Sequence, residues 1–275
     1  LTPLRLFNGS RELVGLYLEP AEDAQPQQHA VLLCNPFGQE GIRAHRLYRV
    51  MSDRLAAIGY HVLRFDYYGS GDSAGSDEEW DVQGSIADAQ AALAELLRRS
   101  RAPRWSAVGL RLGGAIALEV ARLAPTPAQL LMLIEPVLDG SAYLRSLADS
   151  SLESLHRSYG VRWLLSARLR DTMLPTPESE ALGFYLSPAT RSQIDALTPA
   201  CLETVPASTL RLLSPDSQAT RQFLQRAGVT LPPAVEFVDS DARIDWATDS
   251  AAATSIVPMH WIRDLLDHLA EGAHA

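Results

Sequence analysis

The chain is 275 residues long and 47% apolar, with a formal charge of −9 from 33 acidic and 24 basic side chains. That acidity argues against a nucleic-acid partner, which would need a basic face to neutralise phosphates, and no apolar run approaches the roughly 18–20 residues of a membrane span. Two cysteines, Cys34 and Cys201, are too few for a disulfide framework or a metal site of zinc type; Arg5 and Arg11 stand near the start without an apolar h-region, so no signal peptide is expected, and a reducing cytoplasm fits best.

Residues 4–18 alternate around Asn8-Gly9-Ser10, the signature of a β-hairpin. A polar, proline-bearing loop follows over 19–29. Residues 30–34 are continuously apolar, as in a strand buried on both faces, and 35–40 read as a turn. Helical spacing runs over 45–58, with Leu47, Val50, Met51, Leu55 and Ile58 on one stripe. Gly59 stops it. A strand over 60–66 leads into the glycine-rich loop 67–75, which lacks the G-K-[S/T] of a phosphate loop. No cofactor is therefore expected. A helix spans 81–99.

Residues 105–118 pass from an apolar strand through Gly109-Leu110-Arg111-Leu112-Gly113-Gly114 into an Ala/Leu-rich helix. Strand, sharp turn and helix in about a dozen residues make the frame of a nucleophile elbow, G-x-S-x-G. Its glycines let strand and helix backbones approach closely. The central residue here is Arg111 rather than serine. Another buried strand is expected over 129–135.

Strands alternating with helices imply βαβ units and a parallel sheet. The alternation breaks after Pro136. From 139 to 206 no strand is expected, only helices such as 142–155 and 161–170 and a loop at 174–177. This segment reads as a helical cap between core segments 1–138 and 207–275. A strand over 209–213, a helix over 216–227, a strand over 234–238 and a closing helix over 259–269 complete the chain.

An antiparallel start, a parallel sheet, an elbow and a cap after it resemble the α/β-hydrolase fold, with a mostly parallel eight-stranded sheet flanked by helices. Residues 33–38, Leu-Cys-Asn-Pro-Phe-Gly, stand where that family has its oxyanion loop. Residues 65–73 resemble its D-x-x-G-x-G-x-S loop. More narrowly, the chain is similar to the serine-aminopeptidase-like branch and to exosortase A system-associated hydrolases, which share forms close to Asn35-Pro36-Phe37, Gly109-Leu110-Arg111-Leu112-Gly113 and Glu135-Pro136-Val137-Leu138-Asp139-Gly140. In that group an arginine recurs at the elbow centre.

The resemblance implies the chain order nucleophile, acid, histidine. A guanidinium stays protonated and is a poor nucleophile. Asp216 follows the strand 209–213 and is the candidate acid, or else a helix N-cap. No histidine follows the strand 234–238 until His260, at the start of the last helix. The backbone N–H groups of Phe37 and Leu112 would form the oxyanion hole beside a helix N-terminus that favours anions. Tyr67, Tyr68 and Phe37 could line an apolar pocket under the cap, where Tyr68 either offers a hydroxyl or only packs. Arg111 either grips an external carboxylate or phosphate bidentately or pairs internally with Asp216, Glu135 or Asp245. Cys34 is a buried core residue or a thiolate activated by Arg111, and Ser106 reads as a buried strand serine. The function expected is hydrolysis or transfer of an acyl ester or thioester, from a small molecule or an acyl carrier. The alternative is an inactive relative that binds an anionic or acyl ligand.

Overall fold

A computed structural model describes residues 1–159, 179–240 and 257–273. The opening hairpin is β1 (Thr2–Asn8) and β2 (Arg11–Leu18), paired antiparallel with Asn8 opposite Arg11. Then come β3 (His29–Cys34), α1 (Gly38–Ala57), β4 (His61–Phe65), α2 (Val82–Ser100), β5 (Arg104–Leu110), α3 (Leu112–Leu123) and β6 (Ala128–Ile134). Between β6 and the next strand of the large sheet lie α4 (Gly140–Tyr159), the short strands β7 (Glu180–Ala181) and β8 (Phe184–Tyr185), and α5 (Pro188–Asp195). The chain closes with β9 (Ala207–Ser214), α6 (Ser217–Arg226), β10 (Val235–Asp239) and α7 (Met259–Ala273).

Eight strands form one sheet in the order β1-β2-β4-β3-β5-β6-β9-β10. The pairs β1–β2 and β2–β4 are antiparallel and the remaining pairs parallel. This is the sheet that the α/β-hydrolase resemblance implies. Alternate side chains of each central strand feed opposite layers. Trp105 and Ala107 of β5 and Leu131 and Leu133 of β6 pack with α2 and α3. Val108, Leu110, Met132 and Ile134 pack on the other face with α1 and α7. Every residue of β3 is buried, which explains its unbroken apolar run.

Strand order reverses at β3: the chain moves from β3 to β4 on one side and then to β5 on the other. In open α/β sheets such a switch leaves a crevice outside the carboxyl ends of the strands, where ligands bind. The carboxyl end of β3 runs into Asn35-Pro36-Phe37, and that of β5 into Arg111.

Two expectations need correction. The first helix begins at Gly38, not His45, so the expected turn 35–40 is partly its first turn. Its glycines hid the start, because they carry no helical signal. The segment after Pro136 is not free of strands: β7 and β8 form a hairpin. Leu182 and Gly183 at its tip have φ of 53° and 87°, the paired positive values of a tight primed turn. Strands of two residues are too short to show alternation. The expected helix 161–170 and loop 174–177 lie outside the described residues. Among the described residues no helix is long and apolar enough to cross a membrane.

Candidate active site

The turn between β5 and α3 is held at both ends. Arg111 has φ 53° and ψ −122°, a conformation that a non-glycine residue keeps only when its surroundings enforce it. Its N–H donates to the carbonyl of Ile134 at 2.9 Å, and its carbonyl accepts from Gly114 N at 3.0 Å and Val137 N at 3.3 Å. The neighbouring glycines are required by space. A Cβ on Gly109 would sit 2.3 Å from the Gly113 carbonyl oxygen, and one on Gly113 would sit 2.3 Å from the carbonyl oxygen of Cys34. The N-terminus of α3 is thus pressed against the loop that leaves β3.

The guanidinium of Arg111 is spoken for on two sides. Nε donates to Glu40 Oε1 at 3.0 Å, and Nη1 donates to the main-chain carbonyl of Glu135 at 3.2 Å. The Glu40 side chain is 5% exposed and that of Arg111 24%. Tyr143 of α4 completes the cluster: its hydroxyl donates to Glu40 Oε2 at 2.8 Å, and its ring centroid lies 5.4 Å from Arg111 Cζ. Burial works against the arginine's charge, but the Glu40 carboxylate and the Tyr143 hydroxyl hold its pKa above the ordinary value. Tyr143, buried beside that carboxylate, is pushed well above its usual range.

Glu40 was not among the partners read from the sequence. Of those three, Glu135 supplies its carbonyl, and Asp245 lies outside the described residues. Asp216 is exposed and caps α6, its Oδ1 accepting from Ala219 N at 2.7 Å. His260 sits in the first turn of α7, its ring 5.8 Å from that of Trp261. Among the described residues no hydrogen bond or ion pair joins Asp216 or His260 to Arg111.

Leu112 is the first residue of α3, so its N–H lacks an intrahelical partner. Phe37 is the N-cap residue of α1, and its ring packs 4.4 Å from Trp80 and 6.1 Å from Phe184, centroid to centroid. Tyr68 faces elsewhere. Its hydroxyl donates to Glu79 Oε1 at 3.3 Å, and Arg11 lies over its ring at 4.9 Å. Tyr67 is buried and donates to the Asn35 carbonyl at 3.2 Å. Cys34 is fully buried, which pushes its thiol up to about 12. That is the reverse of an activated thiolate.

A serine–histidine contact does exist, at the far end of β5. His29 Nε2 and Ser106 Oγ are 2.8 Å apart, and both residues are at most 1% exposed. Ser106 Oγ also accepts from Leu130 N at 3.2 Å. No reactant reaches a pair so enclosed, and the contact satisfies two buried polar groups.

A cleft of about 480 Å³ opens beside the β3–α1 loop. Its lining includes the aromatic residues Phe37, Trp80 and Phe184 and the acidic residues Asp66, Asp72 and Asp77. Arg111, Leu112 and Tyr143 do not line it.

The sequence model of the family described as serine aminopeptidase, S33 (Hydrolase_4), matches residues 25–259. The curated "Putative carbamate hydrolase RutD" of Yersinia enterocolitica is 33% identical over 128 residues, which are 45% of this chain and 42% of that protein. The chain therefore spans less than half the length of that relative. Among solved structures, proline iminopeptidase of Mycobacterium smegmatis superposes with a TM-score of 0.64 at 14% identity, covering 99% of both chains. An esterase of Pyrococcus furiosus gives 0.62 at 14% identity, covering 98% of this chain and 90% of that one. At such identities the likeness is one of fold.

Proposed function

Since this chain belongs to the serine aminopeptidase (S33) family of α/β hydrolases, we propose that Arg111 stands at its nucleophile position and that the protein is a ligand-binding member that performs no acyl transfer through the elbow. The observation that carries this reading is the Glu40–Arg111–Tyr143 cluster. A nucleophile needs a lone pair and a base to free it. Arg111 offers neither, and the nearest carboxylate already accepts a hydrogen bond at each oxygen. No histidine lies within the twenty residues after β10, where the fold's base belongs. The resemblance of residues 109–113 and 135–140 to forms in exosortase A system-associated hydrolases, a sequence reading, supports the same proposal.

The ligand under the cap of this reading, residues 139–206, is anionic or acyl. Arg111 Nη2 has no hydrogen-bond partner among the described residues, and the Leu112 N–H stands next in sequence at the positive end of α3. Together they supply donors for a carboxylate or carbonyl oxygen, free or carrier-bound. The same donors favour a second reading, in which water attacks an ester or thioester whose oxyanion they stabilise.

The two readings part in one experiment. Purified protein is incubated with a fluorophosphonate probe and then with aryl esters, an acyl thioester and a carbamate, beside an Arg111→Ala variant. No covalent label and no turnover above the variant are expected. Turnover that falls with Arg111→Ala would establish the second reading, and labelling of the wild type would remove the first.

A further inference from the structure

We propose that the cleft beside the β3–α1 loop is a binding site for a small organic ammonium ion with an aromatic or apolar body, seated on Phe37, Trp80 and Phe184 with its charge toward Asp72 and Asp77. The site is distinct from the elbow, and the inference does not depend on what Arg111 binds.

Its size comes first. About 480 Å³ lies within the range of pockets that enclose small molecules. The wall is aromatic and closely built. Phe37 and Trp80 pack at 4.4 Å, tilted by 39°, and Phe184 meets Phe37 edge-on at 65°. Phe37 and Trp80 are buried, whereas Ile42, also in the lining, is 61% exposed. Aromatic faces carry negative potential and attract cations that shed water readily.

Charge selects the sign of the ligand. Three carboxylates line the cleft against one guanidinium, that of Arg64. Arg64 Nη1 lies 3.2 Å from His45 Nε2. Burial and the neighbouring Arg49 charge work against the Arg64 guanidinium, and Asp53 and Asp66 offset them. Asp66 is turned into its own loop, accepting from Asp72 N at 3.0 Å and Asn35 Nδ2 at 3.3 Å. Asp77 accepts one backbone N–H, from Tyr185 at 3.3 Å. Neither Asp72 nor Asp77 is in an ion pair among the described residues. The lining thus combines three aromatic rings with two carboxylates that are in no ion pair among the described residues. A carboxylate ligand would meet them with like charge, and a neutral one would leave them unused.

Binding of phenethylammonium, 2-phenylethanol and 3-phenylpropionate to the full chain is measured by calorimetry. The three share a body and differ in charge. Saturable binding is expected for the ammonium alone, weakened about tenfold (1.4 kcal/mol) in the double variant Asp72→Asn, Asp77→Asn. Both residues are exposed, so the variant should fold, which circular dichroism checks. Trp80→Leu reports on the wall separately and should also weaken binding. No saturable binding of the ammonium, equal binding of the alcohol, or affinity unchanged in the double variant would each overturn the proposal. None of these results bears on labelling or turnover at the elbow.

Discussion

Tyr143 of α4 donates a 2.8 Å hydrogen bond to Oε2 of Glu40, a carboxylate 103 residues earlier in the chain. The other oxygen of that carboxylate holds Arg111. One buried acid therefore ties the segment after β6 to the turn after β5. Removing it as Glu40→Ala leaves a mostly buried cation without its counter-charge, a change that costs about 3 kcal/mol. Tyr143→Phe keeps the ion pair and loses one hydrogen bond to a charged group, about 1.5 kcal/mol. Urea denaturation should rank the two in that order. Equal losses, or none, would mean that the pair is not what holds the elbow shut.

The elbow's glycines make a second prediction. A methyl group at residue 113 would lie 2.3 Å from the Cys34 carbonyl oxygen and 2.5 Å from that of Asn35. Both are backbone atoms at the end of a fully buried strand and cannot turn aside. Gly113→Ala should cost about 3 kcal/mol, at the upper end of overpacking. Alanine at Gly228, where nothing lies within 4 Å but φ is 75°, meets only backbone strain and should cost about 1 kcal/mol. Thermal melts of the two variants separate collision from strain.

Much of this architecture was legible before any coordinates. Buried strands such as 30–34 betray themselves by unbroken apolar runs, and Asn8-Gly9 marks its turn by chemistry that few other dipeptides share. The elbow was recognisable because its glycines answer a local steric need. The partner of Arg111 was not. Glu40 lies in a helical first turn disguised by Gly38 and Gly41, and it meets Arg111 across 71 residues. No local pattern encodes such a meeting: any of several acids could have filled the role, and the choice was made by how α1 seats against β5. Tyr143 was hidden for the same reason. It sits on the helical stripe of α4 as one more apolar side chain, and only packing reveals which end of it is polar.

His29 gives the stability a pH dependence. Burial, aided by the nearby Arg104 charge, lowers its pKa to about 4 from an ordinary 6.5. Between those values the unfolded chain binds a proton that the folded chain refuses, so stability rises with pH across that window. The contribution is complete above 6.5 and is lost progressively as pH falls toward 4. From pH 7 to pH 5 the loss should be about 2 kcal/mol. Urea midpoints at both pH values should show it for the wild type, and the difference should shrink in His29→Gln. An identical drop in the variant would assign the effect to other groups.

Asp216 distinguishes a cap from a catalyst. Its carboxylate accepts from Ala219 N at 2.7 Å, and the next helix starts one residue later, at Ser217. As an N-cap it can be replaced by asparagine, which offers the same acceptor, with little loss. Asp216→Ala removes the acceptor and should cost about 1 kcal/mol. A residue that worked as an acid or base would behave differently, because asparagine cannot carry its proton. Chemical denaturation of both variants, alongside ligand titrations at the elbow, therefore reads the role directly. Asparagine that folds as well as the wild type and binds as well leaves Asp216 to the helix; asparagine that folds but abolishes a measured turnover would return it to the chemistry.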